Sequence, residues 1–318
     1  MEAKTIRGII LSLAVGDALG VPVEFSLREE LKANPITGMC SGGAWNQEAG
    51  TWSDDTSLTL ATMESITRRG KIDYNDIMEN FLLWYEFNEF TANGECFDIG
   101  NTTRSALVRF SRHLLPATKC GANRISSNGN GSLLRIMPAV LYVYTKYGKI
   151  GAEGLKIVQE ISALTHAHII SQMACGVYAL IAAQLLEGKE KFEAFRNGLA
   201  DAKKYYGAIE EFTYFERLYY EDFVKLPDSE ISAEEYAVVT LEAALWCLLN
   251  TDDYQSLALK AVNLGEDSDT VAAVACALGG IIYGIEGIPN DWLDILKRRD
   301  YIEKICDDFA AVVNAAKQ

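Results

Sequence analysis

Apolar residues recur every three to four positions along most of the chain, the period of helices that bury one face. The spacing predicts helices over residues 5–19, 56–69, 75–90, 132–146, 153–165, 170–187, 236–249 and 252–263, and a last helical pair within 290–316. A further helix opens in the stretch 96–104 and runs to about Arg112, with Asp98 or Thr102 available to cap it. Residues 271–284 are small and apolar all round, the pattern of a buried helix. Phe81, Leu82, Trp84, Tyr85 and Phe87 form a structural aromatic face on 75–90, and Pro138 predicts a kink inside 132–146. No run alternates in polarity, no repeat recurs and no linker stands out. The expected class is all-α, one domain over 1–318.

Between these elements lie three segments of a different character. Gly16 to Phe25 carries Gly and Pro among apolar residues and predicts a tight bend. Residues 26–51 and 116–131 are rich in Gly, Asn and Ser and read as loops, the second ending in Ser127-Asn128-Gly129-Asn130-Gly131-Ser132. Residues 189–231 mix acids with aromatics, as surface helices do.

Composition narrows the function. The chain has 318 residues, 49% of them hydrophobic, with six Pro and a formal net charge of -15. That charge argues against general nucleic-acid binding. The seven Cys are scattered, odd in number and without a CxxC pair, which predicts reduced thiols and a cytoplasmic location. Lys4 and Arg7 before Ile9–Val15 look like a short signal peptide, but Gly16-Asp17 interrupts the run, so it reads as a buried first helix. No other run reads as long and clean enough to span a bilayer.

Two acidic knots carry the candidate chemistry. Gly265-Glu266-Asp267-Ser268-Asp269-Thr270 opens the buried helix, and Trp52-Ser53-Asp54-Asp55-Thr56 opens another. Each offers hydroxyls and carboxylates at a helix start, where backbone N–H groups and the dipole compensate negative charge only modestly. Two such knots can converge on one site for hard cations, since oxygen donors suit Mg²⁺ or Mn²⁺ rather than zinc. Each alone is equally what an ordinary N-cap with an acidic first turn looks like. Asp17 and Glu24 are acids in apolar company that can satisfy local backbone donors. The Gly-rich loop before 132–146 can cradle phosphate, though it matches neither the Rossmann nor the P-loop spacing. In Thr165-His166-Ala167-His168 the two His cannot share a helix face, so zinc is not expected; one pointing into a cleft or buried in the core are both open.

Taken in order, Gly16-Asp17-Ala18-Leu19-Gly20-x-Pro22-x-Glu24, Trp52 to Thr56, Asp98-Ile99-Gly100-Asn101-Thr102, Gly129-Asn130-Gly131-Ser132-x-x-Arg135, Thr165-His166, Thr240 to Ala244 and Gly265-x-Asp267-x-Asp269-Thr270 resemble the ADP-ribosylglycohydrolase family, which includes the dinitrogenase reductase-activating glycohydrolase. The similarity runs over about 5–286. It implies an all-α multi-helix orthogonal bundle with two Mg²⁺ or Mn²⁺ in a central cleft. The implied metal ligands are Ser53, Asp54, Asp55, Asp267, Asp269 and Thr270. Glu24 would stand beside the metals, with Glu24 or Asp55 as base and Asp98 facing a leaving guanidinium. Asn101, Gly129, Asn130, Gly131, Ser132, His166 and Tyr236 would bind ADP-ribose or an ADP-ribosylated protein; no membrane partner is implied.

The implied activity is hydrolysis of the bond between ADP-ribose and a protein side chain, with arginine favoured by the acid at Asp98. Two departures stand out: Ser53 where the family often has Thr, and Glu235 where a Gly usually precedes the Tyr. An inactive ADP-ribose-binding or structural relative is the alternative. A Mg²⁺ phosphohydrolase of the haloacid dehalogenase type would need a strand before Asp267 and a differently spaced Thr, and the EF-hand pattern lacks its Gly and third ligand.

Overall fold

The computed structural model describes residues 1–315. The helices are α1 (Ala3–Gly20), α2 (Arg28–Ala33), α3 (Asp54–Arg69), α4 (Tyr74–Phe87), α5 (Asn101–Ser111), α6 (Met137–Tyr147), α7 (Ala152–Ala163), α8 (Ile169–Leu186), α9 (Lys191–Tyr206), α10 (Ala237–Leu249), α11 (Tyr254–Val262), α12 (Ser268–Tyr283), α13 (Asn290–Ile295) and α14 (Arg299–Ala315). Short 3₁₀ turns punctuate the loops. Among the described residues there is no strand, only isolated bridges Gly42–Gln47, Ala122–His166 and Gly129–Tyr236. The class is all-α.

The core is the antiparallel pair α1 and α12, both buried over most of their length. Small residues let their backbones touch. A Cβ on Gly16 would lie 2.6 Å from the Ala272 carbonyl oxygen, one on Gly20 would lie 2.2 Å from Asp269 Cα, and one on Gly280 would lie 2.7 Å from Ile9 Cα. This register runs the two helices in opposite directions. It sets the C-terminal end of α1 against the N-terminus of α12. Around the pair, Tyr254 on α11 donates its hydroxyl to Ser12 O (2.7 Å), and Tyr178 on α8 donates to Val274 O (3.0 Å). The α14 helix lies along α1 and α3 and is tied to α1 by the Arg7–Asp307 ion pair.

Several local expectations are corrected. The α6 helix starts at Met137, so Pro138 falls in its first turn, where the missing N–H costs nothing, and no kink follows. Residues 131–135 are turn, so the Gly-rich loop does not run directly into a helix N-terminus. Gly100, and neither Asp98 nor Thr102, occupies the N-cap of α5. His168 caps α8, accepting from Ile170 N at 3.4 Å. A short helix, α2, sits inside the predicted loop 26–51, and Phe87 is exposed. Two helical stretches, Ala3–Val23 and Ile169–Leu186, are long and apolar enough to cross a membrane, so the second corrects the sequence expectation; both are mostly buried within the fold.

The Gly16–Ala272 approach leaves no room for a methyl. Gly16→Ala should lower unfolding free energy by about 1–3 kcal/mol through overpacking, despite the better helix propensity of Ala. A urea titration would show this as a lower midpoint at unchanged slope; an unchanged midpoint would mean the two helices separate without cost.

Candidate active site

The α1–α12 register decides where the acids go. Asp17, in the last turn of α1, is fully buried and reaches across to the start of α3. Its carboxylate accepts from Ser53 N (2.9 and 3.1 Å), Thr56 N (3.0 Å) and the Thr56 hydroxyl (2.6 Å). A residue of one helix thus satisfies the free N–H groups of another. Ser53 is the N-cap residue of α3 and accepts from Asp55 N at 3.3 Å. Asp54 and Asp55 occupy the first turn. Opposite, Asp267 is the N-cap residue of α12, and Asp269 and Thr270 open its first turn. Thr270 joins the two knots: its hydroxyl donates to Asp55 Oδ1 (3.4 Å) and its N–H to Asp269 Oδ1 (2.9 Å).

The knots therefore face one another. Carboxylate oxygens of Asp17, Asp55 and Asp269 lie within 4.8 Å of each other, as do those of Glu24, Asp98 and Asp269. Asp98 comes within hydrogen-bonding reach of both Glu24 and Asp269. Two ionised carboxylates cannot share a hydrogen bond, so either protons or cations must lie between them. Without cations, burial pushes Asp54, Asp55 and Asp269 well above the usual carboxylate range, and the neighbouring acids add to it. Burial raises Asp98 to about 11 and Glu24 to about 8. Burial raises Asp17 only to about 6, because the α3 donors oppose it.

This donor set fits hard divalent cations. Asp55 Oδ2 and Asp269 Oδ2 are buried without a hydrogen-bond partner, and no Lys or Arg pairs with these acids among the described residues. Every side-chain donor atom is oxygen, which suits Mg²⁺ or Mn²⁺. Asp17 belongs to the cluster by distance, but its oxygens are engaged by the start of α3.

Above the acids opens a cleft of about 740 Å³. Glu24, Asp54, Asp98, Asp267 and Thr270 line it, together with Asn101, Gly129, Asn130, Gly131, His166 and Tyr236. Ser53, Asp55 and Asp269 are buried behind that lining. Ser132 does not face the cleft through its side chain; its hydroxyl turns inward and accepts from the Ser162 hydroxyl at 2.8 Å. Phe25, Trp45 and Phe97 form an aromatic rim, and Trp45 Nε1 donates to Glu24 Oε2.

The walls are loops clipped together by backbone hydrogen bonds. Phe25 N donates to Glu266 O (2.7 Å) and Glu266 N returns to Ser26 O (3.0 Å); Asp267 N donates to Ala233 O (3.1 Å). Asn130 N donates to Glu235 O (3.2 Å) and Ala237 N to Asn128 O (2.9 Å), while Ala122 N meets Thr165 O (3.0 Å) and Ala167 N meets Ala122 O (2.9 Å). Asn130 Nδ2 also donates to Asp267 Oδ2, linking the Gly-rich loop to the acids. Sequence reasoning passed over the α3-capping role of Asp17 and the tie from Trp45 to Glu24. Asp17 was visible only as an acid in apolar surroundings.

These features coincide with known proteins along the whole chain. The model of the ADP-ribosylglycohydrolase family matches residues 2–318. An ADP-ribosylarginine hydrolase Tri1 from Serratia proteamaculans is 32% identical over 95% of this chain and 77% of its own. An ADP-ribosyl-[dinitrogen reductase] glycohydrolase from Rhodospirillum rubrum is 30% identical over 91% of this chain and 89% of its own. A solved chain described as an ADP-ribosylglycohydrolase-related protein complex superposes with a TM-score of 0.80 at 29% identity, covering 99% of both chains. Fold and sequence agree, and the chain belongs to the ADP-ribosylglycohydrolase family.

Proposed function

We propose that the protein is a Mg²⁺- or Mn²⁺-dependent hydrolase that releases ADP-ribose from modified protein side chains, with arginine as the favoured linkage. The observation that carries this reading is the meeting of the 54–55 and 267–269 acids behind one cleft, with buried oxygens left unpartnered. The names of the similar hydrolases support the substrate class.

Ser53, Asp54, Asp55, Asp267, Asp269 and Thr270 would hold two divalent ions. When bound, such ions supply Lewis acidity toward ribose hydroxyls and water. The chain's own groups do the rest. In the overall change the C1″–N bond breaks with its electron pair passing to nitrogen, and water oxygen bonds to C1″ at an oxocarbenium-like centre. One water proton must be taken up and one returned to the departing nitrogen. Glu24 is better placed than Asp55 as the base, because it lines the cleft while Asp55 is buried behind it. Asp98 faces the cleft and suits the leaving side: ionised it holds a guanidinium, and protonated it can donate to nitrogen. The loop Gly129–Gly131, His166 and Tyr236 would hold the diphosphate and adenosine portions.

Asp54→Ala and Asp269→Ala should each abolish release of ADP-ribose from an ADP-ribosylated arginine peptide, and Glu24→Gln should slow it by about 10²–10⁴-fold. Full turnover in EDTA would sink the metal role. Tight ADP-ribose binding without turnover by the wild-type protein would mark an inactive binding relative instead.

Stability gives a second test. Carboxylates whose pKa is raised on folding keep protons that the unfolded chain has released, so cation-free stability falls as pH rises from about 4 through the folded values. His166, whose pKa burial and then Arg135 lower to about 3, acts in the opposite sense but only below about 6.5. Between pH 6.5 and 8 the melting temperature in EDTA should therefore drop, with Glu24, raised to about 8, contributing. Saturating Mn²⁺ should remove most of the drop. Asp54→Asn should raise the cation-free melting temperature and lose the Mn²⁺ response; a cation-free profile flat in pH would contradict the crowding of charge.

A further inference from the structure

Arg135 is a buried cation that no carboxylate contacts; Asp54 acts on it only through its charge. It has no exposed surface and forms no ion pair among the described residues. Its guanidinium stacks on Phe81, 4.7 Å from the ring centroid. Its Nη2 donates to the Thr165 hydroxyl at 2.7 Å, both Nη atoms lie 3.4 Å from Ile161 O, and Nε has no partner. A charge kept dry at this cost calls for a task.

The task follows from counting protons. A guanidinium only donates, so the Thr165 oxygen must accept from Arg135. The hydroxyl then has one proton to give, and the acceptor within reach is His166 Nδ1 at 2.8 Å. Nδ1 can accept only if it carries no proton, which leaves the ring proton on Nε2. With the proton on Nδ1 instead, the Thr165 oxygen would receive two N–H groups and its own O–H would have no acceptor. An imidazolium would repeat that conflict beside a second cation. Nε2 has no hydrogen-bond partner among the described residues and lies 3.3 Å from where a Cβ on Gly131 would stand, at the cleft wall.

We propose that Arg135, acting through the Thr165 hydroxyl, fixes His166 as the tautomer protonated on Nε2, so that the cleft is offered a neutral, oriented N–H donor beside the Gly129–Gly131 loop. Arg135 is a positioning residue; His166 is the group that meets the ligand. That the ligand is ADP-ribose rests on the function proposed above, whereas the tautomer does not.

Long-range ¹H–¹⁵N correlation spectra of the full chain at pH 7.5 test it, with His166→Gln identifying the His166 ring signals against His113 and His168. The free protein should show an Nε2–H ring with an acceptor Nδ1. Thr165→Val, which keeps the shape and removes the hydroxyl, should mix the tautomers, and Thr165→Ser should restore the single form. Arg135→Met should also mix them, and Arg135→Lys, which keeps a donor, should restore it in part. Calorimetric titration with ADP-ribose should show about 3- to 10-fold weaker binding for Thr165→Val, the worth of one hydrogen bond, and wild-type affinity for Thr165→Ser.

An Nδ1–H or imidazolium ring in the wild type overturns the inference. So does an unaltered tautomer in a folded Thr165→Val protein. The Nε2–H ring in a wild-type protein that does not bind ADP-ribose supports the relay and counts against the reading of the cleft.

Discussion

Like charges held out of water are the condition on which this structure turns. The starts of α3 and α12 bring Asp54, Asp55, Asp267 and Asp269 together, and Glu24 and Asp98 close over them. Two helix N-termini pointing inward soften the repulsion by a fraction of a charge each. They do not remove it, since oxygens of Asp55 and Asp269 remain unpartnered. What forces the meeting is the close approach of α1 and α12, whose backbones touch at Gly16 and Gly20. Hydrophobic burial along that pair and its neighbours supplies stability that the acidic centre consumes. A centre of this kind gains from any cation that enters it, because binding relieves a repulsion the fold already maintains.

The geometry of the cleft comes from main chain more than from side chains. Short backbone clips join segments 25–26 to 266, 267 to 233, 235 to 130 and 237 to 128. This changes the meaning of Glu235, which stands where the family usually has Gly. Its carbonyl accepts from Asn130 N, a service any residue can perform. The side chain adds one more acid near the cleft, where burial and then Asp267 raise its pKa. The departure therefore bears on the charge of the wall and leaves its backbone course intact.

What was legible in the sequence was local. The helices were visible because each carries its own apolar period, and the two knots were visible because hydroxyl and acid sit side by side before an apolar run. Pro138 was misjudged by one turn, a boundary question that periodicity resolves poorly. Ser132 belonged to a recognisable loop, yet its hydroxyl turns toward Ser162, thirty residues on, and no local pattern records that. The same holds for Asp17 with Ser53, 36 residues away, and for Arg135 with Thr165, 30 residues away. Each is a polar residue in apolar surroundings whose partner lies on another element. Such a residue announces that it has a partner without saying which.

The two ends of the cleft face a chemical conflict, and the choice of side chains resolves it. Under the proposed function one end must hold cations and the other must hold a diphosphate. A lysine at the diphosphate end would be drawn to Asp54 or Asp267 and would compete with the cations for them. His166, kept neutral by burial and by Arg135, has no such attraction, and the N–H groups of Gly129 and Gly131 have none either. Arg104 stands at the cleft lining, whereas Arg135 is set behind the Thr165 hydroxyl and acts at one remove. In a chain of net charge -15, this arrangement would let cations balance the acids while neutral N–H donors help to hold the phosphates.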